Sequence, residues 1–366
     1  MSVIIREADS GKRYKDFITL PYTLYKNTPA WIPPLKSEEK KAFRPATNPY
    51  LQRCLFQHFI AYKKGVPAGR ISAFIDELSN QVWEKPVGLF GSYECIDDHS
   101  VAHLLLDTAV GWLKKKNMKT VQGPLLFQSQ EWGFLTQAYD KKTMIMEPYN
   151  HPWYLEQMEI YGFRKVKDLL SYTMDTSRGY VLPERFIALH EKLLEKHQIV
   201  IRKLDMKHLT RDVKKICDIA NRSTRQNWGY VPVTNTEAED MAASLKPVVD
   251  PDIIMIAESR GEPVGYLIVL PDINQLLDGL NGRLFPRGLF RLLFKKHTIN
   301  RYRVWALGII PSFQRKALEL YKILMAKHPQ QVDANYVLED NSAMNNAIIK
   351  MGFREEKRYR IYEKSI

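Results

Sequence analysis

Alternating apolar and polar positions predict a strand, a tight turn and a returning strand over residues 60–76. This stretch reads IAYKKGVPAGRISAFID, and IAESRGEPVGYLIVLPD at 256–272 lies over it without a gap. Isoleucine, alanine, both glycines, proline and the final aspartate coincide. A short charged turn, here at Gly65 and at Gly261, between two such strands is typical of an antiparallel hairpin. The chain therefore carries an internal repeat.

A second pair of similar segments closes each copy of the repeat. YGFRKVKDLLSY at 161–172 lies over MGFREEKRYRIY at 351–362, in each case after a helical stretch. Between these landmarks both copies follow the order strand, amphipathic helix, strand, closing strand. The predicted fold class is α/β (α+β), with two tandem domains at 1–180 and 181–366. Each domain is expected to be a mixed, mainly antiparallel sheet flanked by helices.

Composition and charge narrow the classes of function. Of 366 residues, 45% are hydrophobic and 26% are charged, which is an ordinary globular composition. The chain becomes charged at Arg6 before any apolar secretory segment develops, and no run of ~18 apolar residues follows. We therefore expect a cytoplasmic protein, at most peripheral to the inner face of the membrane. Three cysteines and nine histidines at no ligand spacing predict neither a disulfide framework nor a metal site.

The net charge of +13 favours anionic partners. No helix-turn-helix, zinc-finger or aromatic RNA-binding signature accompanies this charge, which argues against nucleic acid.

The hairpin, a strand running into a turn and helix, and a closing helix-Gly-Phe-strand segment together resemble the GNAT (Gcn5-related N-acetyltransferase) superfamily. The segments that carry the resemblance are LGIIPSFQRKALELYKIL at 307–324 and LEDNSAMNNAIIKMGF at 338–353. Nearly the whole chain also resembles bacterial tandem GNAT-like proteins, through NTPAWIPPL, NPYLQ, GSYECIDD, EPYNHPWY and LPDIN. The resemblance implies an N-acyltransferase that moves an acyl group from a coenzyme A or acyl-carrier-protein thioester to an amine. Some members look like enzymes that N-acylate long-chain bases, which implies a long acyl group and a lipid-like amine.

The resemblance places the acyl donor in the second copy. It implies contacts to the thioester from the backbone of Leu307, Gly308 and Ile309, and a contact to coenzyme A from Asn341. The place of Asn341 before SAMNNAIIK also predicts a helix N-cap, and the two roles can coexist. A helix N-terminus after a tight loop offers unpaired N–H groups and the positive end of the helix dipole to a pyrophosphate. The loop residues expected to bind it are Gln314, Arg315, Lys316, Ala317 and Leu318.

Several residues depart from the superfamily pattern. Glu319 puts an anion in the first turn of the helix after the loop, and Ile348 stands where the superfamily has a thiolate-protonating tyrosine. In the first copy, Asp97 and Asp98 lie at the start of the corresponding helix, where carboxylates cap the helix and repel phosphate. We expect no coenzyme A site in that copy. These departures leave a second hypothesis open, a catalytically silent GNAT-fold protein that binds an anionic ligand or partner.

Amine acylation needs a base that removes a proton from the ammonium group. Glu94 ends an apolar strand where the cleft of the fold is expected to open, and Glu339 lies at the place we match to it in the second copy. A structural role for either carboxylate is the alternative. On the EPYNHPWY segment, Tyr149, Asn150 and Tyr154 are candidates to recognise the amine, because loops often carry such residues. A packed corner of the fold would explain these three equally well.

A basic segment is the clearest charge feature of the chain. Residues 279–318 contain nine basic side chains and no acidic one. Basic residues recur at every fourth position from Arg283 to Lys295, so a helix opened by Pro286 would carry them as a stripe, with its leucines and phenylalanines largely opposite. Through residues 283–303 such a helix could contact an anionic membrane surface, cover an acyl chain or bind an acidic acyl carrier protein. An ordinary surface helix with its Phe and Leu side chains in the core is the alternative.

Overall fold

The computed structural model describes residues 2–126, 131–180, 198–246, 249–310 and 329–366. The strands within these ranges are β1 (Val3–Glu7), β2 (Cys54–Lys63), β3 (Val66–Asp76), β4 (Val87–Cys95), β5 (Thr120–Gly123), β6 (Leu125–Leu126), β7 (Glu131–Trp132), β8 (Phe134–Leu135), β9 (Arg164–Asp175), β10 (Ile199–Lys203), β11 (Ile254–Ser259), β12 (Glu262–Pro271), β13 (Arg301–Ile309), β14 (Gln331–Leu338) and β15 (Arg354–Ser365).

The helices of the described residues alternate with these strands. They are α1 (Gly11–Leu24), α2 (Lys36–Ala42), α3 (Pro49–Arg53), α4 (Glu77–Trp83), α5 (His99–Lys115), α6 (Trp153–Tyr161), α7 (Leu209–Ser223), α8 (Asn235–Leu245), α9 (Asn274–Leu277), α10 (Arg287–Phe294) and α11 (Ser342–Lys350). Short 3-10 helices cover Pro45–Thr47, Met206–His208, Pro251–Ile253 and Lys296–Thr298.

Both predicted hairpins are confirmed. β2 pairs antiparallel with β3, and β11 pairs antiparallel with β12. Gly65, Gly261 and the residue before each have positive φ, the backbone that lets a two-residue turn follow the twist of its strands. Each hairpin also has a register irregularity at the same place, directly after Ala61 and after Ala257. The repeat therefore extends from residue identity to local backbone geometry.

The chain divides into two compact units, and neither is one continuous stretch of sequence. The first unit comprises Met1–Leu169, Leu276–Phe294 and Lys357–Ile366. The second unit comprises Leu170–Gln275 and Lys295–Glu356. The division expected after residue 180 would have kept each copy of the repeat in one piece, and these units differ from it.

The sheet of the first unit has the strand order β1-β2-β3-β4-β5-β15. β4 and β5 are parallel, and the other neighbours in this order are antiparallel. Helix α5 buries Val101, Leu105, Ala109 and other apolar residues at helical spacing. These side chains belong to one core cluster with apolar residues of β2, β3 and β4.

The sheet of the second unit has the strand order β10-β11-β12-β13-β14-β9. β13 and β14 are parallel, and the pairs from β10 to β13 are antiparallel. Its main core cluster includes Met255, Val269 and Val332, and a second cluster joins Ile219 of α7 to Tyr266 of β12. The predicted class of mixed, mainly antiparallel sheets flanked by helices is confirmed.

The closing strands account for part of this discontinuity. β9 ends the first copy of the repeat in sequence, yet residues 170–175 belong to the second unit, where β9 neighbours β14. There the hydroxyl of Thr173 donates to the carboxylate of Asp333 at 2.6 Å. β15 ends the second copy, yet it pairs with β5 in the first unit, with Tyr362 opposite Gly123. Each sheet is thus completed by the closing strand of the other copy.

Candidate active site

The two parallel strands of the first unit separate after a short paired region. β4 pairs with β5 only over residues 87–89, and its remaining residues extend beyond that ladder. Glu94 lies in this extension, where it is the register partner of Arg70 on β3. Between the paired region and Glu94, the φ of Ser92 is +51°, and the register of β3 with β4 shifts between Arg70 and Ser72. An irregular strand of this kind re-aims the side chains that follow.

Two tyrosines converge on the buried carboxylate of Glu94. The hydroxyl of Tyr25, at the end of α1, donates to Oε2 at 2.6 Å, and the hydroxyl of Tyr154, in the first turn of α6, donates to the same oxygen at 2.8 Å. The backbone N–H of Cys95 donates in turn to the Tyr154 hydroxyl at 3.0 Å. The cluster therefore joins a strand to two helices that lie far apart in sequence.

Burial sets the acidity of this cluster. It raises the pKa of Glu94 from 4.5 to about 7, against the opposing effects of the Arg70 charge and of the two tyrosine hydrogen bonds. Burial also raises the pKa of Tyr25 and of Tyr154 well above 10, so both keep their protons. Glu94 is therefore a carboxyl group that can gain or lose a proton near neutral pH.

Arg70 supplies the positive charge beside Glu94. Its Nη2 lies 3.7 Å from Oε1 of Glu94, its Nη1 donates to the carbonyl oxygen of Phe17 at 3.0 Å, and its guanidinium lies over the Phe17 ring. Among the described residues, Nε of Arg70 and Oγ of Ser92 are buried without a hydrogen-bond partner. Native proteins rarely leave such atoms unsatisfied, so these two are candidates to contact a ligand or a water molecule.

Aromatic rings pack against the Tyr25 side of the cluster. Tyr25 lies 4.9 Å from Trp31 and stacks on His151 at 4.6 Å, centroid to centroid. His151 stacks in turn on Trp153 at 4.0 Å. Burial lowers the pKa of His151, so the ring is neutral at neutral pH. These packed rings hold the Tyr25 hydroxyl in position.

The second unit has the same strand separation but different side chains. β13 pairs with β14 only over residues 301–304, and Leu307, Gly308 and Ile309 lie beyond that ladder. Gly308 is the register partner of Tyr266, as Glu94 is of Arg70. A Cβ atom on Gly308 would lie 2.3 Å from a ring carbon of Tyr266. The tyrosine ring thus packs where the first unit carries its carboxylate.

Two proteins are similar to this chain over nearly its full length. It is 33% identical over 367 residues to protein YghO of Escherichia coli (strain K12), a match that covers 96% of this chain and 93% of YghO. It is 31% identical over 366 residues to the bacterial ceramide synthase of Caulobacter vibrioides (strain NA1000 / CB15N), which covers 96% and 94% respectively. The chain belongs to the family of these two proteins. No family model matches the sequence.

Solved structures identify the fold of this member of the YghO and bacterial ceramide synthase family. A tandem GNAT protein from the clavulanic acid biosynthesis pathway matches with a TM-score of 0.59 at 10% identity, covering 100% of this chain and 98% of that one. A GCN5-related N-acetyltransferase from Sphaerobacter thermophilus matches with a TM-score of 0.53 at 11% identity, covering 99% and 95%. At such identities the likeness concerns the fold alone. The expected tandem GNAT architecture is confirmed.

Glu94, one of the two candidate bases of this family member, lies in a polar cluster with Tyr25 and Tyr154. The expected correspondence between Glu94 and Glu339 is wrong. β4 and β13 are each the strand that follows a hairpin, and by register Gly308 on β13 corresponds to Glu94 on β4. Glu339 instead follows β14. Glu339 is half-exposed, and its carbonyl oxygen accepts from Nδ2 of Asn345 at 3.3 Å.

The three candidate acceptor residues fall into different environments. Tyr154 is fully buried in a helix rather than on a loop, and it binds Glu94. Asn150 is buried, and its side chain bonds the backbone N–H and carbonyl of Leu135 at 2.6 and 3.2 Å, so its amide fixes a strand. Tyr149 is half-buried and donates to the carbonyl oxygen of Tyr139 at 2.9 Å. The structure therefore gives Asn150 a packing role and brings only Tyr154 to the carboxylate.

The expected donor residues are described only in part. Gln314, Arg315, Lys316, Ala317 and Leu318 lie outside the described residues. Asn341 caps α11, its side chain accepting from the N–H of Met344 at 3.1 Å. Ile348 is buried in the core of the second unit. The place of the superfamily tyrosine is thus taken by an apolar core residue.

The start of α5 in the first unit does not suit a pyrophosphate. Asp98 accepts hydrogen bonds from the N–H groups of Ser100 and Val101 at 3.0 and 3.2 Å, and it pairs with Lys63. A phosphate at this helix end would meet a carboxylate that already occupies the N–H groups. The reasoning that the first copy caps its own helix is supported by this geometry.

Tyr25, Arg70 and Ser92 are the site residues that sequence reasoning missed. Arg70 carried a usable signal, because it is a charged residue inside an otherwise apolar stretch of the hairpin, at the position where the second copy has Tyr266. Tyr25 carried none, since it joins Glu94 only through tertiary contact.

Among the described residues, no group of three or more acidic, His or Cys side chains could hold a metal ion. Within the same ranges, no helix has the length and apolar character needed to cross a membrane.

Proposed function

We propose that this protein is an N-acyltransferase that moves an acyl group from a thioester of coenzyme A or of an acyl carrier protein to an amine. The observation that carries the proposal is the buried carboxylate of Glu94, whose pKa of about 7 suits a general base at neutral pH. The tandem GNAT fold supports acyl transfer as the class of reaction. The 31% identity to a protein named bacterial ceramide synthase supports a long acyl group and a lipid-like amine.

The proposed role of Glu94 follows from its geometry. An amine arrives largely as an ammonium group, which cannot attack a carbonyl carbon. The Glu94 carboxylate accepts one proton, the freed nitrogen attacks the thioester carbonyl, and a C–N bond forms as the C–S bond breaks. The second nitrogen proton leaves with the thiolate as a thiol, and Glu94 releases its proton to solvent. Tyr25 and Tyr154 both donate to Oε2 and hold the carboxylate in place, which leaves Oε1 to accept the proton.

We also propose donor contacts on β13 of the second unit. Leu307, Gly308 and Ile309 lie on the part of β13 that extends beyond its parallel ladder, where backbone N–H groups can face a thioester oxygen. We propose that the coenzyme pyrophosphate binds residues 314–318, which include Arg315 and Lys316. The chain's own residues would supply binding, orientation and proton removal, with no metal.

The test is amide formation by the purified full-length protein. Acetyl-CoA, palmitoyl-CoA and a palmitoylated acyl carrier protein would each be offered with a long-chain amino alcohol, and the amide and released thiol measured. We expect Glu94→Gln to lower turnover by about 10²–10⁴-fold without weakening donor binding measured by calorimetry. Glu339→Gln is the matched control and should keep turnover. Arg315→Glu/Lys316→Glu should abolish coenzyme A binding.

Each other outcome revises a different part of the proposal. Full turnover in Glu94→Gln would remove Glu94 as the base. Turnover and donor binding that survive Arg315→Glu/Lys316→Glu would show that the donor does not need these two residues. No amide from any donor, with saturable binding of coenzyme A, would favour the silent binding protein.

A further inference from the structure

Helix α10 belongs to the first unit. The face that it packs against this unit carries Gly288 and Arg291 rather than its large apolar side chains. Gly288 is buried, and a Cβ at this position would lie 2.9 Å from Cδ1 of Leu280, so the helix approaches the preceding loop closely. Nη1 of Arg291 donates to the carbonyl oxygens of Leu276 and Asp278 at 3.2 and 2.8 Å. The glycine and the arginine therefore anchor the helix.

Five large apolar side chains of this segment are exposed to solvent. Phe285 is 79% exposed, Phe290 56%, Leu293 63% and Phe294 60%, and Leu289 is also exposed. Gly288 and Arg291 occupy the inward face of the helix. The predicted basic stripe is therefore wrong at Arg291, and the alternative in which the Phe side chains enter the core is wrong as well.

The exposed side chains form one patch. Of the thirteen exposed large hydrophobic residues among the described residues, five lie within 285–294, and the rings of Phe290 and Phe294 are 5.0 Å apart. Single exposed apolar residues need no explanation, whereas a cluster of this kind marks an interaction surface.

Positive charge flanks the patch at both ends of the helix. Arg283 and Arg287 are exposed at its beginning, and Lys295 and Lys296 are exposed just after its end. The backbone N–H of Lys36 donates to the carbonyl of Gly282 at 3.0 Å, which brings the N-terminal segment to the start of this region. Partial burial and the nearby charges of Arg283 and Lys40 lower the pKa of Lys36, as expected where cations gather.

The acidic side chain that directly precedes this segment in sequence is already paired. Asp278 pairs with Lys142 at 2.5 Å, and residues 279–294 contain no acidic side chain. A partner with negative charge around an apolar centre would complement this arrangement.

We propose that residues 283–296 are a docking surface for an anionic lipid bilayer. The apolar side chains at 285, 289, 290, 293 and 294 would enter the interface, while the basic residues at both ends contact phosphate groups around them. A bilayer fits better than an acidic protein because the cations lie on two sides of the apolar patch. Headgroups surround an inserted helix on all sides, whereas a protein of matching shape would need a ring of carboxylates about an apolar pocket.

The part of the docking surface up to Phe294 lies in the same unit as Glu94 and is linked to it by packing. A Cβ on Gly282 would lie 2.5 Å from a ring carbon of Tyr22, whose ring is 5.4 Å from that of Trp31. Trp31 packs on Tyr25, which donates to Glu94. A bilayer bound at α10 would therefore lie beside the unit that carries the carboxylate. The docking proposal itself does not depend on acyl transfer.

The test is sedimentation of the full-length protein with vesicles of phosphatidylcholine, with and without about a third of phosphatidylglycerol. We expect binding to the anionic vesicles that weakens as salt is raised. Phe290→Ser/Leu293→Ser/Phe294→Ser should lower the partition coefficient at least tenfold. Arg287→Glu/Lys295→Glu should lower it by more than roughly tenfold, since each lost cation near the surface weakens binding about fivefold.

Matched controls separate the patch from general effects. Val66→Ser/Ile160→Ser removes two exposed apolar side chains of the same unit, and Lys12→Glu/Lys15→Glu changes the net charge by the same amount as the α10 charge variant. Both controls should bind vesicles like the wild type, and thermal melting should show every variant folded. Equal loss in control and patch variants, or binding that ignores anionic lipid, would overturn the proposal. Binding to an acidic acyl carrier protein but not to vesicles, lost in the α10 variants, would assign the surface to a protein instead.

Discussion

Arg70 and Glu94 face each other across β3 and β4, with Nη2 of the guanidinium 3.7 Å from Oε1 of the carboxylate. The equivalent register pair of the second unit is Tyr266 and Gly308. The same backbone arrangement therefore holds a buried ion pair in one copy and a packed tyrosine ring in the other. Only the pair in the first unit can exchange a proton near neutral pH. The two copies therefore share a fold but differ in the chemistry that this position allows.

Glu94→Gln should change the pH dependence of stability. The unfolded chain releases this proton near pH 4.5, and the folded chain near 7, so the carboxyl costs stability progressively as pH rises between these values. The free energies of unfolding of wild type and variant should therefore diverge as pH rises. By pH 8 the variant should have gained on the order of 1–3 kcal/mol of stability relative to the wild type. Urea unfolding at pH 5 and pH 8 measures this difference. A gap of equal size at both pH values would contradict the raised pKa.

Arg70→Met should shift the pH profile of turnover to higher pH. The positive charge of Arg70 lowers the pKa of Glu94, so removing it raises that pKa further above its usual value. Turnover should fall at pH 7 and recover at alkaline pH, whereas Arg70→Lys keeps the charge and should shift the profile less. The measurement is kcat against pH for the three proteins. A loss of turnover that no pH restores would show that Arg70 serves packing alone.

Gly308→Ala should destabilise the second unit. A Cβ here would lie 2.3 Å from the Tyr266 ring and 2.8 Å from Oγ of Ser223, closer than any real contact. We expect a cost of about 1–3 kcal/mol, as for other overpacked cores. In a Tyr266→Leu background the added cost should be smaller, because the ring carbon is gone, and a double-mutant cycle by urea unfolding measures the coupling. Additive costs would show that the ring moves aside freely.

Asn341 offers a way to separate a helix cap from a donor contact. Asn341→Ala removes the acceptor for the Met344 N–H and should cost about 1 kcal/mol. Asn341→Asp keeps an oxygen that accepts the hydrogen bond of Met344 and should restore stability. It does not replace an amide that contacts coenzyme A, so the affinity for coenzyme A should stay low. Thermal melting and calorimetry report the two effects. Full recovery of affinity in the aspartate variant would leave Asn341 as a cap alone.

Much of the local structure was accessible from the sequence because it depends on neighbours in the chain. Both hairpins could be predicted from alternation and from Gly65 and Gly261, and the cap at Asp98 from its place before an amphipathic helix. Glu94 could be named as a candidate base because it ends an apolar strand. Its partners could not, since Tyr25 and Tyr154 lie 69 and 60 residues away and meet it only in the fold.

By itself the sequence determined two similar α/β repeats, their hairpins and a basic segment, because periodicity and turn residues act over a few positions. Tertiary structure alone decided which closing strand completes which sheet, since β9 and β15 carry the same Gly-Phe-Arg beginning and either could pair by pattern. It also decided the direction of α10, because the close approach at Gly288 and the bonds of Arg291 turn the phenylalanines outward. The partners of the closing strands lie far away in sequence, and the contacts of α10 reach 8 to 15 residues back, so both exceed the few positions that a periodic pattern covers.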